Sequence, residues 1–151
     1  LQRGDLVVLD YGCLYRGYHS DITRTIAVGN CDDERRKVYS VVRSAQEKAC
    51  QAAAEGVEAQ SVDRAARASI EAAGYGKFFV HRTGHGIGLE IHEEPYIVAG
   101  NSMRLEEGMA FSVEPGVYVP GEYGVRVEDI VVIQAGKAVR LNKCTRELVT
   151  S

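Results

Sequence analysis

Leu6-Val7-Val8-Leu9 is a short apolar run closed by Asp10-Tyr11-Gly12, a pattern that predicts a buried strand. Tyr15 to Ser20 and Ile22 to Val28 predict two further short strands, followed by a turn at Gly29-Asn30. The period then changes. Val38, Val41, Val42, Ala45, Ala49, Ala52 and Ala53 recur at helical spacing behind a cap at Asp32 or Asp33, and Gly56 ends that helix. Ser61 is the expected cap of a second helix, carried by Ala65, Ala68, Ile70 and Ala73 to Gly74. Glycines at 76, 84, 86 and 88 break the pattern, so the stretch to about Gly100 reads as loop with short strands. Met109 to Val113, Gly116 to Val119, Val125 to Ile133 and Ala138 to Leu141 read as strands. Strands, two helices and strands again predict one α+β domain, with the helices on one face of an antiparallel sheet.

Composition narrows the function classes. The 151 residues are 45% hydrophobic and 26% charged, with a formal net charge of -3. The charges are interspersed, so no basic stripe marks a nucleic-acid partner. No apolar stretch approaches the roughly 20 residues of a membrane span. No basic start followed by an apolar run marks a signal peptide. Cys13, Cys31, Cys50 and Cys144 are far apart with no C-x-x-C pair, and read as reduced thiols in a cytoplasmic protein. The first residue is Leu, so the chain reads as a fragment or a processed product.

Five side chains occupy unusual contexts. Asp10 ends an apolar strand, Asp21 interrupts a strand pattern, and His85 sits among glycines in Thr83-Gly84-His85-Gly86-Ile87-Gly88. Glu114 follows the apolar run from Met109 to Val113, and Glu128 lies within Val125 to Val131. Each carboxylate alone suits a solvent face or a structural ion pair. Four together would need several independent buried pairs, whereas two divalent cations would compensate all of them. Oxygen and imidazole donors suit Mn²⁺, Co²⁺, Fe²⁺ or Zn²⁺. The glycines form neither G-x-G-x-x-G nor a Walker A loop, and no H-E-x-x-H occurs. Close backbone approach around His85 is the better use for them. His81 and His92 cluster with His85, whereas His19 reads as structural or as a support for Asp21. Arg126, two residues before Glu128, shares its strand face and is either a partner for a carboxylate or a substrate contact.

At this point the sequence resembles the pita-bread metallopeptidases, the family of methionine aminopeptidase, aminopeptidase P and prolidase. The matching stretches are Leu9-Asp10-Tyr11-Gly12, Gly17 to Thr25, His81 to Glu93, Glu114-Pro115-Gly116-Val117-Tyr118 and Gly124 to Asp129. Ser20-Asp21-Ile22-Thr23-Arg24-Thr25, Glu114-Pro115-Gly116-Val117-Tyr118 and Gly124-Val125-Arg126-Val127-Glu128-Asp129 look like the branch that cleaves before proline. The resemblance implies a curved antiparallel sheet with helices on its outer face, and a partial catalytic domain over residues 1–151, incomplete at its N-terminal side. It implies two divalent metal ions, manganese or cobalt first, with zinc or iron as alternatives. Asp10 would chelate one, Asp21 and Glu128 would bridge both, and His85 and Glu114 would complete the second. A hydroxide between them would attack the bond before proline in small peptides with proline at the second position. Glu114 would also shuttle the proton, His92 would donate to the oxyanion or the scissile amide, and His81 would line the proline pocket. Arg126 and Tyr118 would contact the substrate or the ligands. Relatives are commonly homodimers. Methionine aminopeptidase-like activity and non-catalytic peptide binding are the alternative readings.

Overall fold

The computed structural model describes residues 1–151. The first two strands, β1 (Leu6–Tyr15) and β2 (Tyr18–Ala27), form an antiparallel hairpin. Arg16 and Gly17 make its two-residue turn with φ of 52° and 86°. Positive φ at both positions matches the natural twist of the paired strands. This corrects three expectations. The first strand does not stop at Asp10, because ladder hydrogen bonds carry it through to the turn, where Tyr15 pairs with Tyr18. The segment from Tyr15 to Ser20 is not a strand of its own: Tyr15 ends β1, Arg16-Gly17 turn the chain, and Tyr18 to Ser20 run on into the segment from Ile22 as β2, with Asp21 inside it. Nor is β1 buried: it becomes exposed from Leu9 onward.

Helix α1 (Asp33–Ala52) begins as expected, with the Asp32 carboxylate accepting from the Arg35 N–H at 2.8 Å. Helix α2 (Ala59–Ala72) begins before Ser61, which is not its cap. The free N–H groups of its first turn find backbone acceptors instead: Ala59 bonds to Met103 O and Gln60 to Asn101 O, both at 2.9 Å. A neighbouring segment thus does what a capping side chain would do.

After a 3-10 turn at Gly76–Phe78 come β3 (Gly84–Gly86), β4 (Glu93–Ile97), β5 (Ala110–Val113), β6 (Gly116–Val119), β7 (Tyr123–Arg126), β8 (Asp129–Gln134), β9 (Lys137–Arg140) and β10 (Val149–Thr150). The run from Val125 to Ile133 is therefore two strands. They part at Val127-Glu128, where the chain leaves the β6–β7 hairpin for the main sheet. There the Glu128 N–H donates to Thr23 O at 3.1 Å, tying the crossover to β2. The main sheet is antiparallel in the order β4-β3-β5-β8-β9, while β10 adds to β2 in parallel.

Both helices pack on one side. Val38, Val42, Ala45 and Ala49 from α1 and Val62, Ala66 and Ile70 from α2 share a core with Phe111, Val113, Val117, Val125, Val127, Val131 and Ile133. The period of two along a strand sends the following residues the other way. Ser112, Glu114, Tyr118, Arg126 and Glu128 each succeed one of those core residues, and the last four line a cavity on the face away from the helices.

Candidate metal centre

The cavity, of about 680 Å³, is lined by Asp10, Asp21, His81, Arg82, His85, His92, Glu114, Tyr118, Arg126 and Glu128. Every residue singled out for chemistry in the sequence is on that wall. Asp21, His85 and Glu128 each offer a ligand atom, all within 4.8 Å of one another. Glu114 joins them, with Oε1 3.2 Å from His85 Nε2, and Asp21 Oδ2 lies 3.9 Å from the same nitrogen.

Backbone geometry aims the imidazole. A Cβ on Gly84 would lie 1.9 Å from Ser112 O and one on Gly86 2.2 Å from Glu94 O, so only glycine lets β5 and β4 close in around His85. His85 Nδ1 donates to Gly86 O at 3.0 Å, which turns Nε2 toward the carboxylates. The Ser112 hydroxyl accepts from the His85 N–H at 3.0 Å and donates to Glu114 Oε1 at 3.1 Å. One serine thus sets two neighbouring groups.

Glu128 is 1% exposed. Its Oε2 accepts from the Thr23 hydroxyl at 2.6 Å, while its Oε1 is buried with no hydrogen-bond partner. Burial first, and then the charges of Glu114, Asp21 and Asp10, push this carboxyl up to about 8. Burial and Asp10 likewise raise Asp21. Burial also opposes the charged form of Glu114, but the hydrogen bond and charge of His85, with His81 and Ser112, outweigh it and leave Glu114 low. Its bond to His85 raises that imidazole against the opposite pull of burial.

An orphaned carboxylate oxygen beside an imidazole nitrogen and two further acidic groups is a donor set that fits divalent cations. Asp10 is the outlier: its side chain is 50% exposed and is hydrogen-bonded by Arg126. Arg126 also donates to Tyr118 Oη at 2.8 Å and to Thr23 Oγ1 at 3.2 Å. It therefore partners carboxylates and faces the cavity as well.

His92 stacks edge-on against His85, centroids 4.2 Å apart, and burial with the nearby His85 and Arg82 charges lowers its pKa. His81 is lowered by burial; its Nδ1 donates to Arg82 O at 2.7 Å and its Nε2 is buried and unpaired. His19 lies outside the cavity wall, its N–H bonded to Gly88 O at 2.8 Å. All four cysteines are free, and no helix is long and apolar enough to cross a membrane.

Sequence reasoning gave no role to Arg82, Thr23 or Ser112. Arg82 lies on the cavity wall with its guanidinium 4.9 Å from the Tyr96 ring centroid. Thr23 and Ser112 could have been found by alternation, since Thr23 pairs with Asp10 across the hairpin and Ser112 lies two residues before Glu114.

Residues 1–135 match the model of metallopeptidase family M24. The chain belongs to that family. A probable dipeptidase of Mycobacterium tuberculosis is 53% identical to this M24 chain over 150 residues, which is 99% of the chain and 40% of the relative. The Xaa-Pro dipeptidase of Pyrococcus furiosus is 49% identical, covering 99% of the chain and 43% of the relative. The crystal structure of a dipeptidase from Pyrococcus horikoshii superposes with a TM-score of 0.98 at 52% identity, over all of this chain and 42% of that one. The chain thus has the pita-bread fold expected from its motifs, and spans about two fifths of the relatives it matches.

Proposed function

We propose that this chain is the metal-binding part of a peptidase that cleaves the bond before proline. The observation that carries the reading is the convergence of Asp21, His85 and Glu128 within 4.8 Å around a buried carboxylate oxygen that no protein group satisfies. The similarity to an Xaa-Pro dipeptidase supports the choice of substrate.

Asp10, Asp21, His85, Glu114 and Glu128 are the residues that would hold two divalent ions, manganese or cobalt in the first instance. Such ions supply Lewis acidity and an acidified water to the cleavage of an amide. The chain's own residues do the rest. An amide to proline has no N–H, so its nitrogen must gain a proton as the bond breaks. Glu114 suits the shuttle, because its position beside His85 and Ser112 lets it take and give up a proton without leaving the cavity. His92, neutral near pH 7 on account of its lowered pKa, donates a hydrogen bond to the oxygen that gains charge. His81 holds its proton on Nδ1, so its Nε2 accepts, and it lines the proline side with Tyr118. Arg126 keeps Asp10 and Tyr118 in place.

The test is metal analysis of the purified protein with an assay on Ala-Pro and Met-Ala peptides. Two equivalents of metal and selective cleavage of Ala-Pro are expected. Preferred cleavage of Met-Ala would replace this reading with a methionine aminopeptidase, and peptide binding without metal or cleavage would replace it with a binding module.

A further inference from the structure

Helix α2 contributes nothing to the cavity wall, yet one of its turns reaches the loop from Phe79 to Thr83 that carries His81. Asp63, 2% exposed, is a charge on the apolar side of that helix. Its carboxylate accepts from Arg67 Nε at 3.1 Å and Nη2 at 3.0 Å, and from the Thr83 hydroxyl at 2.7 Å. Arg67 in turn donates to two backbone oxygens of the loop, Phe79 O and His81 O, both at 3.0 Å. Its guanidinium lies 4.2 Å from the centre of the Phe79 ring. Phe79 packs edge-on against His81 at 5.1 Å, and His81 against Tyr118 at 5.4 Å. Thr83 passes the anchorage onward, because its carbonyl accepts from the Glu114 N–H at 2.8 Å.

An i, i+4 pair on a helix surface contributes little by itself. Here the acid is buried, and the base is spent on carbonyls of a loop instead of on water. A forked guanidinium fixes two oxygens at once, which a point charge cannot do. We propose that Asp63 and Arg67 are positioning residues: they clamp the Phe79–Thr83 loop to α2 and so set where His81 stands against the substrate. The inference rests on the Xaa-Pro reading for the role of His81, but the clamp itself does not.

The test uses Arg67→Lys, which keeps the charge beside Asp63 and loses the fork, with Thr83→Val as a second, milder variant. Hydrogen exchange on the metal-loaded protein should quicken roughly tenfold over residues 79–86, with α1 and β8 unchanged. In kinetics on Ala-Pro, Arg67→Lys should lower kcat/KM roughly tenfold. In a His81→Ala background the same change should cost less than about twofold, since the groups act in series. Unchanged exchange over 79–86 in both variants would overturn the clamp, as would an equal loss in both backgrounds. If the unaltered protein leaves Ala-Pro uncut, the peptidase reading fails, and the exchange data alone decide the clamp.

Discussion

On the hairpin wall of the cavity, Asp10 is half exposed and already has a cation, the guanidinium of Arg126. At the crossover bridged to that hairpin through Thr23, Glu128 is 1% exposed, has one oxygen unpaired, and is forced up to about 8. The same residue type thus meets two different fates within one site. Water and an arginine surround the Asp10 carboxylate. Glu128 can be an anion only if something of opposite charge comes to it. What the buried carboxylate lacks is a cation, which the exposed one already has in Arg126.

Three experiments press on this contrast. The largest effect should come from Glu128→Gln, which removes the charge that most needs compensation. Bound metal and peptidase activity should both be lost, as read by elemental analysis and an Ala-Pro assay. Normal metal content in the variant would show that the buried wall does not govern binding. A smaller effect is expected from Arg126→Met, which frees Asp10 to water while leaving every proposed ligand in place. Metal affinity or turnover should fall about 10–100-fold, the usual scale for groups that orient ligands, with titration of Mn²⁺ as the measurement.

The smallest effect is one of stability against pH after chelation. Folding raises Glu128 from an ordinary 4.5 to about 8, so the folded state holds a proton that the unfolded chain has released. That contribution is complete below about 4.5 and is lost as pH rises through about 8. Asp21 and His85 shift in the same sense. Glu114 is lowered, so its contribution is lost only on acidification, below its ordinary 4.5. The melting temperature of the stripped protein should fall by several degrees across the upper window, and Glu128→Gln should flatten the fall. A melting temperature that climbs with pH there would contradict the assigned burial.

The contrast also explains what the sequence made legible. A carboxylate inside Val125 to Val131, or a histidine framed by Gly84 and Gly86, stands out because its neighbours are wrong for it. Asp10, Asp21, His85, Glu114 and Glu128 were all visible by that logic. The order of strands and helices was visible from periodicity. What stayed hidden depended on partners remote in sequence. Ser61 looked like a cap, but carbonyls of Asn101 and Met103 meet the start of α2 instead. The parting of β7 from β8 follows from the pairing of Glu128 with Thr23, a contact between residues 105 positions apart. Nothing in the sequence marks Asp63 and Arg67, because what distinguishes them is the loop from Phe79 to Thr83 that they hold.

Beneath the buried wall, Arg24 donates to Glu128 O, to the Asp129 carboxylate at 2.6 Å, and to the carbonyls of Cys144 and Thr145. Asn142 adds bonds to Asp21 O at 3.0 Å and from the Ile130 N–H at 2.6 Å. Residues 142–145 line no part of the cavity, yet they are laced to the main chain of two residues that do. Anyone grafting this cavity onto another scaffold, or swapping segments between relatives, must carry that stretch along with Arg24 and Asp129, because a transplant limited to the lining residues would leave their backbone unsupported.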